Sequence, residues 1–171
     1  INPATLKIAE SFFKYEKNNT NFFFEDARTF VKKCKKKYDL IVVDLSFEDG
    51  TPEHLTTYEF YQNLKNCLNK KGVVVSNAIA DFSNSLTIST ILSTFNAVFK
   101  NIYYFYDDVY LKKSNLKVSN LYILASNQLK FKQTNIKLEN VPQSMKDKIY
   151  RTLKNTNKFK NEKFNKEHVL L

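Results

Sequence analysis

Apolar positions along this chain alternate between a helical period and short unbroken runs. Leu6, Ile8, Ala9, Phe12 and Phe13 fall on one helical stripe behind Pro3, which suits a first turn. Residues 17–20 are polar and end it. The aromatic run Phe22, Phe23, Phe24 predicts a short strand over 21–25. Asp26 stands as an N-cap before a helix to about residue 36, with Phe30, Val31 and Cys34 facing inward. Residues 38–44 hold four consecutive aliphatics and predict a fully buried parallel strand ending at Asp44.

A polar loop with Gly50 and Pro52 follows. Thr56 and Thr57 offer a cap, with Glu59 near the capping-box position, for a helix reaching about residue 69. Gly72 reads as its C-cap signal, and 73–77 as another buried strand. A helix is expected over 86–98, then strands over 102–111 and 118–126. One amphipathic helix is expected near 144–153, and a loosely ordered end over the last fifteen residues.

Helices and strands in alternation imply an α/β sheet, mostly parallel, with an antiparallel C-terminal strand pair at one edge. Ligands on such sheets bind beyond the carboxyl ends of the strands. With a strand running into Ile1, that places Asn2, Asp26, Asp44 and Asn77 at the binding end.

Composition narrows the function. With 171 residues and 43% hydrophobic side chains, the chain can bury one real core. No apolar run approaches a membrane span. Two glycines exclude a Gly-x-Gly-x-x-Gly or Walker phosphate loop. Charge is uneven: residues 1–126 carry 16 basic and 13 acidic side chains, residues 127–171 carry 11 and 4. We read 1–126 as the α/β domain and 127–171 as a basic Lys/Asn-rich extension. Lysine in large excess over a single arginine reads as a solvated tail rather than a nucleic-acid surface. Cys34 and Cys67 form no metal box with the two histidines, and read as core thiols of a reducing, cytoplasmic setting; no metal is expected.

The order of several short motifs resembles the later half of a class I S-adenosylmethionine-dependent transferase, and more narrowly the spermidine synthase-like group. Ile1-Asn2-Pro3 resembles that family's Glu-Ile-Asp-Pro after its second strand. Glu25-Asp26-Ala27-Arg28 resembles Gly-Asp-Ala-Arg after the third, and residues 38–44 resemble its Tyr-Asp-apolar-Asp fourth strand. Residues 49–61, then Leu64, Leu68 and 72–77, follow the family's next loop, helix and strand, and Asn120 its final strand.

The resemblance implies a Rossmann-like methyltransferase sheet, N-terminally truncated in this chain. It implies S-adenosylmethionine as cofactor, held by Asn2 at the ribose and by Asp26 with the Ala27 amide at the adenine. It implies Asp44 as the catalytic carboxylate beside the reacting sulfonium, able to orient and deprotonate an amine. Tyr61 and Asn77 become candidates for substrate contact. Each has a plainer reading as well. Asp26 serves as an N-cap, Asp44 as a turn acid, Asn2 as a pre-proline end, His54 as a solvated loop residue, and Phe22 to Phe24 as core.

Three departures stand out. The family's acidic Gly-x-Gly loop has no counterpart, so the chain reads as a piece starting after that half. Leu45, Ser46 and Phe47 stand where spermidine synthases carry Ser-Ser-Asp, and residues 108–117 lack the family's Pro-Thr-Tyr-Pro-Ser-Gly segment. These favour methyl transfer to an amine or protein acceptor as the expectation, with polyamine aminopropyl transfer from the decarboxylated cofactor as the alternative. A third reading is a non-catalytic binding module on a transferase fold. The expected partners are the acceptor and a second copy of the chain, since an open sheet edge invites pairing.

Overall fold

The structure is a computed structural model, and it describes residues 2–46, 50–106, 111, 117–130, 141–154 and 157–158. Helix α1 spans Pro3–Phe13, α2 Ala27–Lys33, and strand β1 Tyr38–Asp44. A 3-10 turn, Glu53–Leu55, leads to α3, Tyr58–Asn66. Strand β2 spans Leu68–Asp81, α4 Ser85–Val98, β3 Asn101–Tyr106 and β4 Val118–Ser126. Helix α5, Gln143–Lys154, and the two-residue strand β5, Asn157–Lys158, complete the order.

The helices begin where short polar side chains can satisfy free N–H groups. Asn2 caps α1, Asp26 caps α2, Thr57 caps α3 and Asn84 caps α4. Because Thr57 is the cap, Glu59 is not at the reciprocal position and turns to Arg28 at 3.9 Å.

The sheet order is β1-β2-β4-β3-β5. Strands β1 and β2 are parallel neighbours, and β4 is antiparallel to both β2 and β3. Three of the four long strands therefore run in one direction. The expected antiparallel pair is present, but β4 inserts between β2 and β3 rather than extending the edge. Strand β5, from the basic extension, adds to β3.

Side-chain alternation on β2 buries Gly72, Val74, Ser76, Ala78 and Ala80 on one face. Helices α2, α3 and α4 cover that face with Val31, Phe60, Leu64, Leu92 and Phe95. The opposite face stays open among the described residues, and there Leu40 and Val42 are 56% and 61% exposed. The expectation of a fully buried β1 thus holds for Val43 alone. The same openness reaches α1, which buries no residue and leaves Phe12 and Phe13 at the surface.

Other expectations change. Residues 21–24 form no strand, because a strand exists only by pairing and this run meets no ladder. Phe23 instead packs on Phe30, ring centroids 4.9 Å apart. Helix α3 ends at Asn66, where the Cys67 N–H closes on the Asn63 and Leu64 carbonyls. Gly72 therefore lies inside β2 and is no C-cap. The expected strand over 102–111 is described only to Tyr106. The last thirteen residues and Ile1 lie outside the described residues.

Candidate functional site

Both helix α2 and helix α3 run back along the sheet before β1 and β2 return, so the N-termini of these helices and the C-termini of the strands share one end. Asp44 ends β1, and its register partner on β2 is Asn77. Asn77 donates its Nδ2–H to Asp44 Oδ1 at 3.0 Å. Asp44 is exposed and Asn77 half-buried. The Asn77 Oδ1 atom is buried and accepts no hydrogen bond among the described residues. A buried acceptor of this kind needs a donor. Carboxylate and amide oxygen together thus call for N–H groups at this spot.

Asp26 caps α2 by accepting the Thr29 N–H at 2.9 Å through Oδ1. That amide holds its carboxyl below the ordinary value of 3.8, with smaller help from His54 and against partial desolvation. Its Oδ2 meets His54 Nε2 at 3.3 Å. The Ala27 N–H belongs to the first turn of α2, where no intrahelical partner exists. Acceptor and donor therefore stand side by side, the complement of an adenine's amino and ring-nitrogen edge. The residues present fit a nucleoside at this position.

Arg28 ties this corner to the loop before α3. Its Nη1 donates to the His54 carbonyl and to Thr57 Oγ1, both at 2.7 Å. Helix α2 thereby fixes the segment that carries His54 and caps α3. Sequence reasoning treated His54 as solvated and gave Arg28 no role beyond its place in a motif. The only available hint was that the body of the chain holds a single arginine. An open groove of about 910 Å³ lies between this loop, the end of β2 and the start of α4, with Glu53, His54, Ile79, Asp81 and Thr87 on its walls.

Two candidates stand apart from this cluster. Asn2 uses its side-chain oxygen on the Ala4 N–H of its own helix, at 2.9 Å. Tyr61 is 1% exposed and lies in the core, its ring centroid 4.0 Å from that of Phe95. Burial pushes its phenol far above the ordinary range, partly offset by the hydrogen bond with Ser76. That placement corrects the substrate-contact expectation for Tyr61, because the hydroxyl faces the protein interior. Among the described residues, no helix is long and apolar enough to cross a membrane, and no group of three potential ligands gathers for a metal.

A mixed α/β sheet with paired polar groups at the strand ends defines the Rossmann-like class to which methyltransferases belong. Within it, the spermine/spermidine synthase domain matches residues 5–142, and the chain belongs to that family. It is 35% identical over 109 residues to a polyamine aminopropyltransferase of Vibrio vulnificus, across 61% of this chain and 36% of that protein. It is 31% identical to the polyamine aminopropyltransferase of Sulfolobus acidocaldarius, across 60% and 36%. The chain thus spans little more than a third of the length of these curated relatives.

Among solved structures, a probable spermidine synthase from Corynebacterium glutamicum superposes with a TM-score of 0.66 at 18% identity, over 77% of this chain and 47% of the other. Human methyltransferase-like protein 13 in complex with SAH superposes at 0.58 and 16% identity, over 90% and 67%. These likenesses establish the Rossmann-like fold.

Proposed function

We propose that this chain supplies part of the site of a polyamine aminopropyltransferase, with decarboxylated S-adenosylmethionine as donor and an aliphatic amine as acceptor. The observation that carries this reading is the Asp44–Asn77 pair, whose amide oxygen has no donor among the described residues. An acceptor amine brings the N–H groups that both oxygens need. Family membership and the names of the sequence relatives support aminopropyl transfer over the methyl transfer expected from the departures in sequence.

In this reading Asp44 orients the amine and takes its proton as nitrogen attacks the aminopropyl carbon. Bound there, the donor would supply the electrophilic aminopropyl carbon, and its sulfonium would depart as a neutral thioether when the carbon–sulfur bond breaks. Asn77 holds the carboxylate in place and accepts a second amine hydrogen. Asp26 and the Ala27 N–H bind the adenine edge, and Arg28 holds the His54 loop beside it. Leu45 stands in place of a serine and Phe47, which lies outside the described residues, in place of the second acid of spermidine synthases, which leaves Asp44 as the acid of that motif.

The test offers the protein putrescine with each donor, with and without the carboxyl group. The reading expects aminopropylated amine and methylthioadenosine from the decarboxylated donor. Methylated product from S-adenosylmethionine alone would restore methyl transfer. A folded protein that bound neither donor would favour the non-catalytic binding module.

A further inference from the structure

The far ends of α2 and α3, opposite the site, hold the only two cysteines of the chain. Cys34 closes α2 with its N–H on the Val31 carbonyl at 3.3 Å. Cys67 closes α3, and its Sγ–H donates to the same Val31 carbonyl at 3.6 Å. The Tyr38 N–H donates to the Cys67 carbonyl at 2.8 Å, and the Lys37 ammonium donates to the Asn66 carbonyl. Three of these contacts, through the Cys67 thiol, the Tyr38 N–H and the Lys37 ammonium, pin these helix ends and the start of β1 together, with both cysteines in the junction.

The two thiols differ in access. Cys67 is 1% exposed, whereas Cys34 is half-buried, its Sγ–H donating to the Lys36 carbonyl at 3.2 Å. Burial pushes the Cys67 thiol up to about 12, and the hydrogen bond with Cys34 and its charge add to the rise while Lys37 opposes it. Buried cysteines often serve only as small apolar side chains. Here the Val31 carbonyl accepts from the N–H of the accessible Cys34 and from the thiol of the buried Cys67, which brings the two cysteines together across a helix–helix contact in the arrangement of an attacking and a resolving cysteine.

We propose that Cys34 and Cys67 form a modification site, a thiol pair that a low-molecular-weight disulfide converts into an intramolecular Cys34–Cys67 bond. The Cys34 thiolate attacks the reagent, whose sulfur–sulfur bond breaks and releases one thiol. Cys67 then loses its proton and attacks the Cys34 sulfur of the mixed disulfide, expelling the second thiol. Two protein thiols are oxidised and one small disulfide is reduced to two thiols. The product would lock α2 to α3 at the end opposite the Arg28 clamp.

The test treats the folded chain with oxidised glutathione at about pH 8, near the free thiol range. An alkylating quench, intact mass and a non-reduced peptide map follow. The expected product is lighter by two hydrogens, retains no glutathione, and joins the Cys34 and Cys67 peptides. The Cys67→Ser variant should stop at one glutathione on Cys34, and Cys34→Ser should stay unmodified until denatured. Ring closure should keep accelerating above the free thiol range, because Cys67 must lose its proton. A stable glutathione adduct on wild-type Cys34 would overturn the proposal, as would cross-links only between chains, or no reaction of the folded protein.

Discussion

Asp44 and Asn77 face each other across two parallel strands, with Asn77 Nδ2 donating to Asp44 Oδ1 at 3.0 Å and Asn77 Oδ1 buried without a donor among the described residues. Parallel pairing puts both side chains on the open face at the carboxyl end, where an amine can reach the exposed Asp44 carboxylate beside Asn77. Asp44→Asn keeps the shape and removes the base. It is expected to lower aminopropyl transfer by about 10²-fold or more, the usual range for a lost general base. Circular dichroism and melting should stay unchanged, since Asp44 is exposed. Asn77→Ala should weaken amine affinity, read by titration with putrescine. Equal turnover by wild type and Asp44→Asn would remove Asp44 from the chemistry.

Arg28 makes two charge-assisted hydrogen bonds to the loop before α3, at 2.7 Å each, one to a backbone carbonyl and one to the α3 cap. Arg28→Ala should cost about 2 kcal/mol and lower the melting temperature by about 4–8 °C. Arg28→Lys should recover less than half, because the lysine stem is shorter and carries no second nitrogen for the Glu59 contact that Nη2 makes at 3.9 Å. Amide exchange should quicken first at residues 54–57. A melting temperature unchanged in Arg28→Ala would show that the loop holds without the clamp.

The parts of this fold that were readable from sequence are those decided locally. The aliphatic run of β1, the β-type run of β4 and the Asp26 cap each depend on neighbours in the chain, and all three stand where expected. Tyr61 and Asn77 show the limit. Both lie in apolar segments near the strand ends, yet helical phase turns Tyr61 into the core while strand alternation turns Asn77 to the open face. Phe22 to Phe24 carry strand composition without a ladder to join. The insertion of β4 between β2 and β3 is a matter of which strand ends meet in space, and no local pattern encodes it. Arg28 was illegible for the same reason: its partners lie 26 and 29 residues away.

Acid should loosen α2 in a defined way. The Asp26 carboxyl is held below 3.8 in the folded chain, chiefly by the Thr29 N–H. A depressed folded value means that its stabilisation is present above the unfolded value and is lost as pH falls through the folded one. The melting temperature should therefore drop as pH falls below 3.8, and Asp26→Asn should show a smaller drop, because asparagine caps without titrating. Asp81 is lowered too, first by the Ser83 hydroxyl and then by the Ser83 N–H, so Asp81→Asn should remove a further share. Parallel acid melts of wild type and Asp26→Asn would refute the assignment.

Tyr61→Phe separates core from contact. The substitution keeps the ring against Phe95 and removes only the hydroxyl bonded to Ser76. A loss of about 1 kcal/mol in urea unfolding is expected, the net value of one buried hydrogen bond. Affinity for putrescine and for methylthioadenosine should not change. A tenfold loss of amine affinity in a fully folded variant would return Tyr61 to the site.

Gly72 gives the last test, because its role in the structure differs from the one its sequence position suggested. As a C-cap it would matter to α3 alone, and alanine would fray the end of that helix. Inside β2 it lies where β1 and β2 shift register between Tyr38 and Leu40. A Cβ there would stand 2.9 Å from the Tyr38 carbonyl oxygen, 2.9 Å from Leu68 Cδ2 and 3.0 Å from the Asn69 carbonyl oxygen. The leucine can turn aside, but two carbonyls fixed in the sheet cannot. Gly72→Ala should therefore cost about 1–3 kcal/mol, as overpacking does. The strain falls beside the Tyr38 N–H bonded to Cys67 O, so exchange of that amide should quicken more than exchange along α3. The Ser126 hydroxyl, which donates to the Gly72 carbonyl at 2.9 Å, should carry the disturbance into β4. Exchange that quickened only along α3 would favour the cap reading over the strand.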